Sequence, residues 1–371
     1  PPPHDPMTHD PDVWLDGFHW ACGSGRTRAI RGSRITIMEQ TKRICAAGHY
    51  TLHGSAIRLG APSRSVSEQF PFGTAPPTAA RPRVTTRVEV REQDCLEVAQ
   101  ELAEVGLSPV VLNMASPHSP GGGWESGAGA QEENLFRRTD YCLHLPRGYY
   151  PIWHQVVHTS NVSIFRSSEA TGYAYLPEVC PMSFIALAAE SHPPLVETHE
   201  GLRLTEPSVA ILKEGIRTLF AAAQSKRHNA LVLSALGCGA FCNPPDHVAE
   251  VFLDVLQSAD FRGVFDRVVF AIFDDHNARR AHNPRGNFQP FRSLLHGLAI
   301  APGAPADEEA DGGPAPGAAH GGQDAAPAPA REAADTDHSP PIPPGPTPSI
   351  FRTDFSHSEP LPSSSTDMDC T

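Results

Sequence analysis

Along residues 26–300, apolar positions follow two patterns that alternate with each other. Residues 26–47 have apolar side chains at roughly helical spacing and are followed by Gly48, a residue type that commonly ends helices. Residues 109–113 form a short continuous apolar run, which is typical of a strand buried on both faces. The alternation of such helices and strands predicts an α/β domain in which helices are layered on a largely central sheet.

The same patterns predict the other elements of this body. Strands are predicted over 50–59, 84–90, 109–113, 183–189, 230–234 and 267–273. Helices are predicted over 26–47, 94–105, near 130–145, and over 208–223, 247–256 and 289–298. Residues 63–82 are expected to form an unstructured insertion.

Residues 301–371 differ from the body in composition. They are rich in Pro, Ala, Gly and Ser and contain few branched or aromatic side chains, so they bury too little surface to offset the entropy lost on ordering. We therefore expect a disordered tail. Its Pro-rich stretch, 339–348, could present an extended ligand to a partner domain, but a solvated tail without a dedicated partner is the simpler expectation.

The amino-terminal segment is the other expected boundary. Residues 1–25 are expected to be poorly ordered, although Trp14, Phe18 and Trp20 indicate some docking. The folded body is accordingly placed at residues 26–300.

Charge separates the tail from the body. The chain carries a formal net charge of −13, and residues 301–371, with 12 acidic and 2 basic residues, account for −10 of it. The body is therefore close to neutral, which excludes a strongly basic nucleic-acid-binding domain of the ordinary kind.

Other features bear on the compartment. No apolar run approaches the ~20 residues of a membrane span, and the first residues contain neither the basic nor the apolar region of a signal peptide. The 8 cysteines are scattered over 371 residues, which disfavours a disulfide scaffold and favours a reducing compartment. We expect an intracellular protein, cytoplasmic or nuclear, without a membrane partner. The sequence does not determine the oligomeric state, for which a monomer is the default expectation.

The first of two glycine-rich loops follows the predicted strand 109–113. It contains three consecutive glycines, 121–123, and leads into a helix whose first turn reads Gln131-Glu132-Glu133. Ligands of open α/β sheets bind at the carboxyl ends of strands. Consecutive glycines allow a positive φ and a close approach of the backbone, and their N–H groups can form an anion-binding nest.

The second loop, residues 234–245, follows the predicted strand 230–234 and also precedes a helix. Its small residues offer bare N–H groups, and Phe241 supplies a flat apolar face. Two such loops at neighbouring strand ends would form a cleft suited to a diphosphate flanked by sugars. Neither loop contains a Walker motif or Gly-x-Gly-x-x-Gly, so an ordinary Rossmann dinucleotide site is disfavoured.

The spacing of the cysteines and histidines disfavours metal binding. Cys238 and Cys242 are separated by three residues and no second pair follows, so small buried thiols are the default expectation. His154 and His158 fall in a segment that is predicted to be a strand rather than a helix, and no third ligand accompanies them. His118, in the first loop, is expected to be solvent-exposed.

The first loop carries a family resemblance. Three glycines, seven residues and then Gln131-Glu132-Glu133 resemble the signature of poly(ADP-ribose) glycohydrolases. The resemblance to the compact, microbial-type branch of that family extends to Gly48-His49-Tyr50, to 160–166, to 237–241 and to 267–273, and it spans roughly residues 25–297.

This resemblance implies a macrodomain-like three-layer α/β/α sandwich with a mixed central sheet, extended by N-terminal helices. It implies ADP-ribose as the ligand and poly(ADP-ribose) or ADP-ribosylated protein as the partner, with no sequence-specific nucleic-acid contact. The implied reaction is hydrolysis of the ribose–ribose O-glycosidic bonds, chiefly from the chain terminus, and it requires neither a metal nor an organic cofactor.

The matching positions imply roles for single residues. Glu133 would protonate the leaving oxygen and then activate the attacking water, and Glu132 would hydrogen-bond the ribose hydroxyls. Two adjacent carboxylates near a diphosphate should raise at least one pKa, which suits an acid that works at neutral pH. Asn113 is expected to contact the distal ribose, and Gln131 to shape the loop. The residues implied to bind the diphosphate and to pack on the sugar are Gly121, Gly122, Gly123, Gly237, Cys238, Gly239, Ala240 and Phe241.

Two other functions stay open. A non-catalytic ADP-ribose-binding macrodomain would use the same cleft, although it has no need of the Gln-Glu-Glu triplet. A hydrolase of mono-ADP-ribosyl linkages is not well separated from the first hypothesis by the sequence. Without the glycines, Glu132 and Glu133 would be explained by the dipole of the helix that they begin.

Overall fold

The computed structural model describes residues 8–78, 82–274 and 277–302, which form helices around a mixed sheet. The helices are α1 (Pro11–Gly23), α2 (Thr27–Ala47), α3 (Cys95–Glu104), α4 (Gln131–Arg138), α5 (Glu206–Ser225), α6 (Pro245–Gln257) and α7 (Phe288–Leu295). The strands are β1 (His49–Leu52), β2 (Ser55–Arg58), β3 (Ser67–Pro71), β4 (Thr86–Arg91), β5 (Pro109–Met114), β6 (Gln155–Arg166), β7 (Tyr175–Leu187), β8 (Leu195–Thr198), β9 (Gly201–Leu204), β10 (Ala230–Leu233), β11 (Arg267–Ala271) and β12 (Ala299–Ile300).

The main sheet has the strand order β12-β4-β11-β10-β5-β7-β6-β3. From β4 to β7 the neighbours are parallel, whereas β12, β6 and β3 each run antiparallel to the strand beside them. The parallel strands therefore end together at one edge of the sheet, and the loops that leave β5 and β10 start side by side. The pairs β1–β2 and β8–β9 form separate hairpins.

Alternate residues of the central strands enter two different cores. Val110, Leu231 and Val268 pack in the core that includes residues of α5, α6 and α7. Val111 and Val232 point to the other face, where the core includes residues of α3 and α4. Because the side chains of a strand alternate between faces, helices cover both sides of the sheet. This arrangement confirms the predicted α/β class with a mixed central sheet.

The amino-terminal residues differ from expectation. Residues 8–25 were expected to be poorly ordered, but the structure contains α1, with Asp10 as its N-cap. The ring of Trp14 stacks on that of Phe18 at 4.7 Å and meets Tyr173 edge-on at 5.1 Å. Burial of this aromatic pair explains the ordering. Trp20 is 58% exposed and does not contribute to docking.

Several element boundaries also differ. The predicted strand 50–59 is the hairpin β1–β2, and the predicted helix 130–145 ends at Arg138, because the chain becomes extended at Thr139 to bridge Ile164. Residues 63–82, expected to be unstructured, include β3, which pairs with β6. The tail expected at 301–371 lies outside the described residues apart from its first two positions.

None of the described helices combines the length and the apolar character needed to cross a bilayer.

Two histidines meet near the amino-terminal ends of β5 and β10. His158, confirmed to lie in a strand, places its Nε2 atom 3.0 Å from Nε2 of His228, and Nδ1 of His228 lies 3.3 Å from the carbonyl oxygen of Ser108. Burial, the largest effect for both rings, lowers the pKa of His158 to about 3 and that of His228 to about 4. Both imidazoles are therefore neutral at pH 7.

We expect this pair to make the fold sensitive to acid. An unfolded histidine has a pKa of 6.5, so below that pH the unfolded chain binds protons that the folded pair does not bind until pH 3–4. The free energy of unfolding should fall by about 2 kcal/mol per histidine between pH 7 and pH 5. Replacing both histidines by Leu should remove this part of the loss, which urea unfolding at the two pH values measures. A double variant that loses as much stability as the wild type would contradict this explanation.

Candidate active site

Helix α4 begins directly against the carboxyl end of β5. The side chain of Gln131 makes this junction, because its Nε2 donates to the carbonyl of Leu112 at 2.6 Å and its Oε1 accepts from the N–H of Met114 at 2.9 Å. Gln131 thereby extends the hydrogen bonding of the strand end into the helix. The junction fixes the direction in which the next two side chains, Glu132 and Glu133, leave the helix.

Glu132 is surrounded by hydrogen-bond donors. Its Oε2 accepts from the N–H of Ser116 at 2.7 Å, and its Oε1 accepts from the N–H of Gly121 at 3.1 Å and from Nδ2 of Asn113 at 3.2 Å. The loop after β5 therefore closes around this carboxylate from two sides.

Burial controls the protonation of Glu132. Desolvation is the largest effect, and with the charge of Glu133 it outweighs the three donors and raises the pKa of Glu132 to about 8. The sequence expectation that one of the pair has a raised pKa thus applies to Glu132.

Glu133 is held by a single donor. The N–H of Gly123 donates to its Oε1 at 2.9 Å, while its Oε2 is buried and has no hydrogen-bond partner among the described residues. Of the four carboxylate oxygens of the pair, this is the one left without a bond. A buried polar atom without a partner indicates a position that a ligand or water fills.

The triple glycine has a different partner from the expected one. Its N–H groups were expected to bind a diphosphate, but those of Gly121 and Gly123 donate to the two glutamates and that of Gly122 donates to the carbonyl of Ser119. The physical reason is that bare N–H groups with no Cβ to screen them accommodate a carboxylate as readily as a phosphate. The first loop therefore organises the acidic pair.

The second loop retains free donors. The N–H groups of Gly239, Ala240 and Phe241 donate to no other group of the described chain. Three consecutive free N–H groups at the carboxyl end of β10 are the type of nest that binds anions. The expected diphosphate contact is accordingly best supported here.

Gly237 and Cys238 of the second loop pack against other parts of the protein, whereas the side chain of Phe241 reaches solvent. Gly237 has φ +73°, and a Cβ there would lie 2.7 Å from Cβ of Ala189, just beyond β7. Cys238 is completely buried, and its N–H donates to the carbonyl of Ala235, so neither its thiol nor its N–H is available to a ligand. Phe241 is partly exposed, as a ligand contact requires.

Helix α2 supports the first loop from behind. A Cβ at Gly127 would collide with the carbonyl of Arg31, and one at Gly129 would collide with the guanidinium of Arg34. The guanidinium of Arg34 pairs with Glu169 through two hydrogen bonds of 2.9 Å. The sequence analysis did not single out Gly127, Gly129 or the backbone N–H of Ser116. The close spacing of Gly127 and Gly129 was the signal that could have revealed the contact with α2. A backbone donor such as the N–H of Ser116 leaves no signal in the sequence.

Residues 38–167 match the family model for the catalytic domain of microbial-type poly(ADP-ribose) glycohydrolase. The chain is similar to that family over these residues, which are about a third of its length. This match, together with the solved structures below, supports a glycosidase. The matched segment includes the first loop and α4, and the second loop lies beyond it.

Solved glycohydrolase structures agree with the fold. Poly(ADP-ribose) glycohydrolase from Thermomonospora curvata is 26% identical with a TM-score of 0.58, and the match covers 71% of this chain and 99% of that one. The same enzyme bound to the inhibitor ADP-HPD is 27% identical with a TM-score of 0.54 and the same coverage. The Deinococcus radiodurans enzyme in complex with ADP-ribose is 25% identical with a TM-score of 0.51, and the match covers 64% and 98%. A search of curated protein sequences gave no significant match.

The dependence of this candidate site on a bare backbone can be tested at Gly122. A Cβ there would lie 2.6 Å from Oε1 of Glu133 and 3.1 Å from Oε2 of Glu132, and the residue has φ +51°. We expect Gly122→Ala to displace the acidic pair, to reduce poly(ADP-ribose) hydrolysis at least about tenfold and to destabilise the fold by roughly 1–2 kcal/mol. Hydrolysis rates and thermal unfolding measure the two effects.

Gly148 provides the control, because a Cβ there would meet nothing within 4 Å. Gly148→Ala should behave as the wild type. Unchanged hydrolysis by Gly122→Ala would show that the acidic pair does not depend on this loop.

Proposed function

We propose that this chain hydrolyses the ribose–ribose O-glycosidic bonds of poly(ADP-ribose), acting mainly at the chain terminus and releasing ADP-ribose. The observation that carries the proposal is the buried pair Glu132 and Glu133, in which every carboxylate oxygen except Oε2 of Glu133 accepts a hydrogen bond. Glycoside cleavage requires an acid at the leaving oxygen, and this oxygen is the available position.

The two loops divide the substrate between them. The terminal diphosphate binds the free N–H groups of Gly239, Ala240 and Phe241, and the ring of Phe241 packs on the adjoining sugar. Because β10 and β5 are neighbours in the sheet, the ribose beyond the diphosphate reaches Glu132 and Glu133. Backbone donors supply the attraction for the anion, which is consistent with a body that is nearly neutral.

The two glutamates have different tasks. Glu133 protonates the oxygen that leaves and then takes a proton from the attacking water, while positive charge develops on the ribose ring. Glu132, which carries a proton at neutral pH, donates a hydrogen bond to a ribose hydroxyl and adds no second negative charge beside the diphosphate. Asn113 holds Glu132 in this orientation and lies next to the same ribose.

Substitution of Glu133 tests the proposal most simply. We expect Glu133→Gln to lower the rate of ADP-ribose release from polymer by roughly 10²–10⁴, because the amide cannot transfer the proton, while ADP-ribose still binds. Glu132→Gln should retain more activity. Chromatography of the released products and calorimetry with ADP-ribose give the two measurements.

Glu125 lies in the same loop and provides a matched control. It is an exposed glutamate paired with Lys42, so Glu125→Gln should keep wild-type activity. Full activity in Glu133→Gln would refute the proposed acid. Wild-type protein that binds ADP-ribose and leaves polymer intact would favour a binding module, and release of single units from modified protein alone would favour a mono-ADP-ribosyl hydrolase.

The raised pKa of Glu132 predicts a pH dependence. Above about pH 8 this side chain ionises and places a negative charge beside the diphosphate. We expect the affinity of the wild type for ADP-ribose to weaken about tenfold by pH 9. Glu132→Gln, which stays neutral, should show no such change between pH 7 and pH 9. Calorimetry across that range measures it, and parallel curves for the two proteins would rule out ionisation of Glu132 as the cause.

A further inference from the structure

Trp153 is an exposed aromatic side chain on a rigid segment that the proposed reaction does not use. Its side chain is 46% exposed, yet the residue before it, Ile152, is completely buried and donates its N–H to the carbonyl of Pro117 at 3.0 Å. Two residues after Trp153, Nε2 of Gln155 donates to the carbonyl of Tyr149 at 2.9 Å. The backbone therefore presents the indole in a fixed position, which lowers the entropy lost when a ligand stacks on it.

The indole contacts the loop that closes around Glu132. Ser116 and Gly121 both donate backbone N–H groups to Glu132, so the six residues 116–121 form an arch against that carboxylate. His118 belongs to this arch and is exposed, as expected from the sequence. Its ring lies 5.1 Å from that of Trp153, at an interplanar angle of 87°.

Tyr150, on the same segment, has a buried hydroxyl without a hydrogen-bond partner among the described residues. Burial raises the pKa of this phenol above its ordinary value, and the nearby carboxylate of Glu132 acts in the same direction. Trp153 follows Tyr150 by three positions. The segment that carries the indole therefore passes close to the proposed reaction centre.

The strand order places Trp153 on the far side of this centre from the diphosphate nest. The nest follows β10, the acidic pair lies where β5 ends, and Trp153 lies two residues before the start of β6. In the sheet the order is β10, β5, β7, β6, and β6 begins at the edge where β7 ends, since Val157 pairs with Ala186. A polymer whose terminal diphosphate lies at β10 and whose scissile bond lies at Glu133 continues towards β6.

We propose that Trp153, in T-shaped contact with His118, stacks on the adenine of the ADP-ribose unit next to the terminal one, on the leaving-group side of the bond that is cut. This inference rests on the proposed function. Each repeat of the polymer carries one purine, and purines stack on exposed aromatic rings without hydrogen-bond selection. The site would thus distinguish a chain of two or more units from free ADP-ribose, which ends before this position.

The test compares two ligands in a protein that binds without cleaving. In the Glu133→Gln background, affinities for ADP-ribose and for an oligomer of two or more ADP-ribose units are measured by calorimetry. We expect Trp153→Ala to weaken oligomer binding roughly 5- to 150-fold, the range that corresponds to loss of one base–aromatic stack. Its affinity for ADP-ribose should stay within about twofold, and Trp153→Phe should recover most of the oligomer affinity.

Trp20 provides the matched control. It is an even more exposed indole, on α1 and beside Arg26, and Trp20→Ala should leave both affinities unchanged. Indole fluorescence adds a readout that a purely structural role would not change: the oligomer should quench it, and the quenching should disappear in Trp153→Ala.

Each outcome has one meaning. Equal weakening of both ligands, or no weakening of the oligomer, overturns the stacking site and leaves the proposed function intact if the wild type still degrades polymer. Wild-type protein that neither binds ADP-ribose nor degrades polymer overturns the proposed function and this inference together.

Discussion

The structure depends on burying two adjacent carboxylates at the start of one helix. Moving a carboxylate out of water is costly unless donors replace the lost hydration. Here the donors are the backbone N–H groups of Ser116, Gly121 and Gly123 and the amide of Asn113, at 2.7–3.2 Å. The glycines are necessary because a Cβ at Gly122 would occupy the space of the carboxylates. The result is an acidic pair whose remaining unbonded oxygen belongs to Glu133.

This arrangement needs support from outside the sheet. Helix α2 packs so closely against Gly127 and Gly129 that only glycine fits. Helix α3 is linked to α4 as well, because Arg138 of α4 pairs with Asp94 at 2.7 Å and Asp94 also caps α3. The N-terminal helices and α3 therefore hold the loop and α4 in place, which explains how the segment before the sheet contributes to the site.

The sequence predicts the parts of this architecture that depend on burial alone. The central strands 109–113, 230–234 and 267–273 were located to within two residues, because strands buried on both faces form continuous apolar runs. Strand β6 was recognised only around His158, and its extent was not predicted, since it also contains Ser160 and Asn161 and a bulge after Thr159. At the site, the sequence predicted the residue types but not the directions of the backbone N–H groups, because φ and ψ set those directions. The N–H groups of Gly121 and Gly123 donate to carboxylates, and the free N–H groups lie at 239–241.

A crystal structure of the chain with ADP-ribose bound tests the central claim most directly. We predict that the diphosphate accepts hydrogen bonds from the N–H groups of Gly239, Ala240 and Phe241, and that Oε2 of Glu133 is the carboxylate oxygen nearest to the anomeric carbon of the distal ribose. The hydrogen bonds from Gly121 and Gly123 to the glutamates should remain in place. ADP-ribose bound away from these two loops, or a complex in which Glu133 turns its free oxygen away from the ribose, would contradict the account.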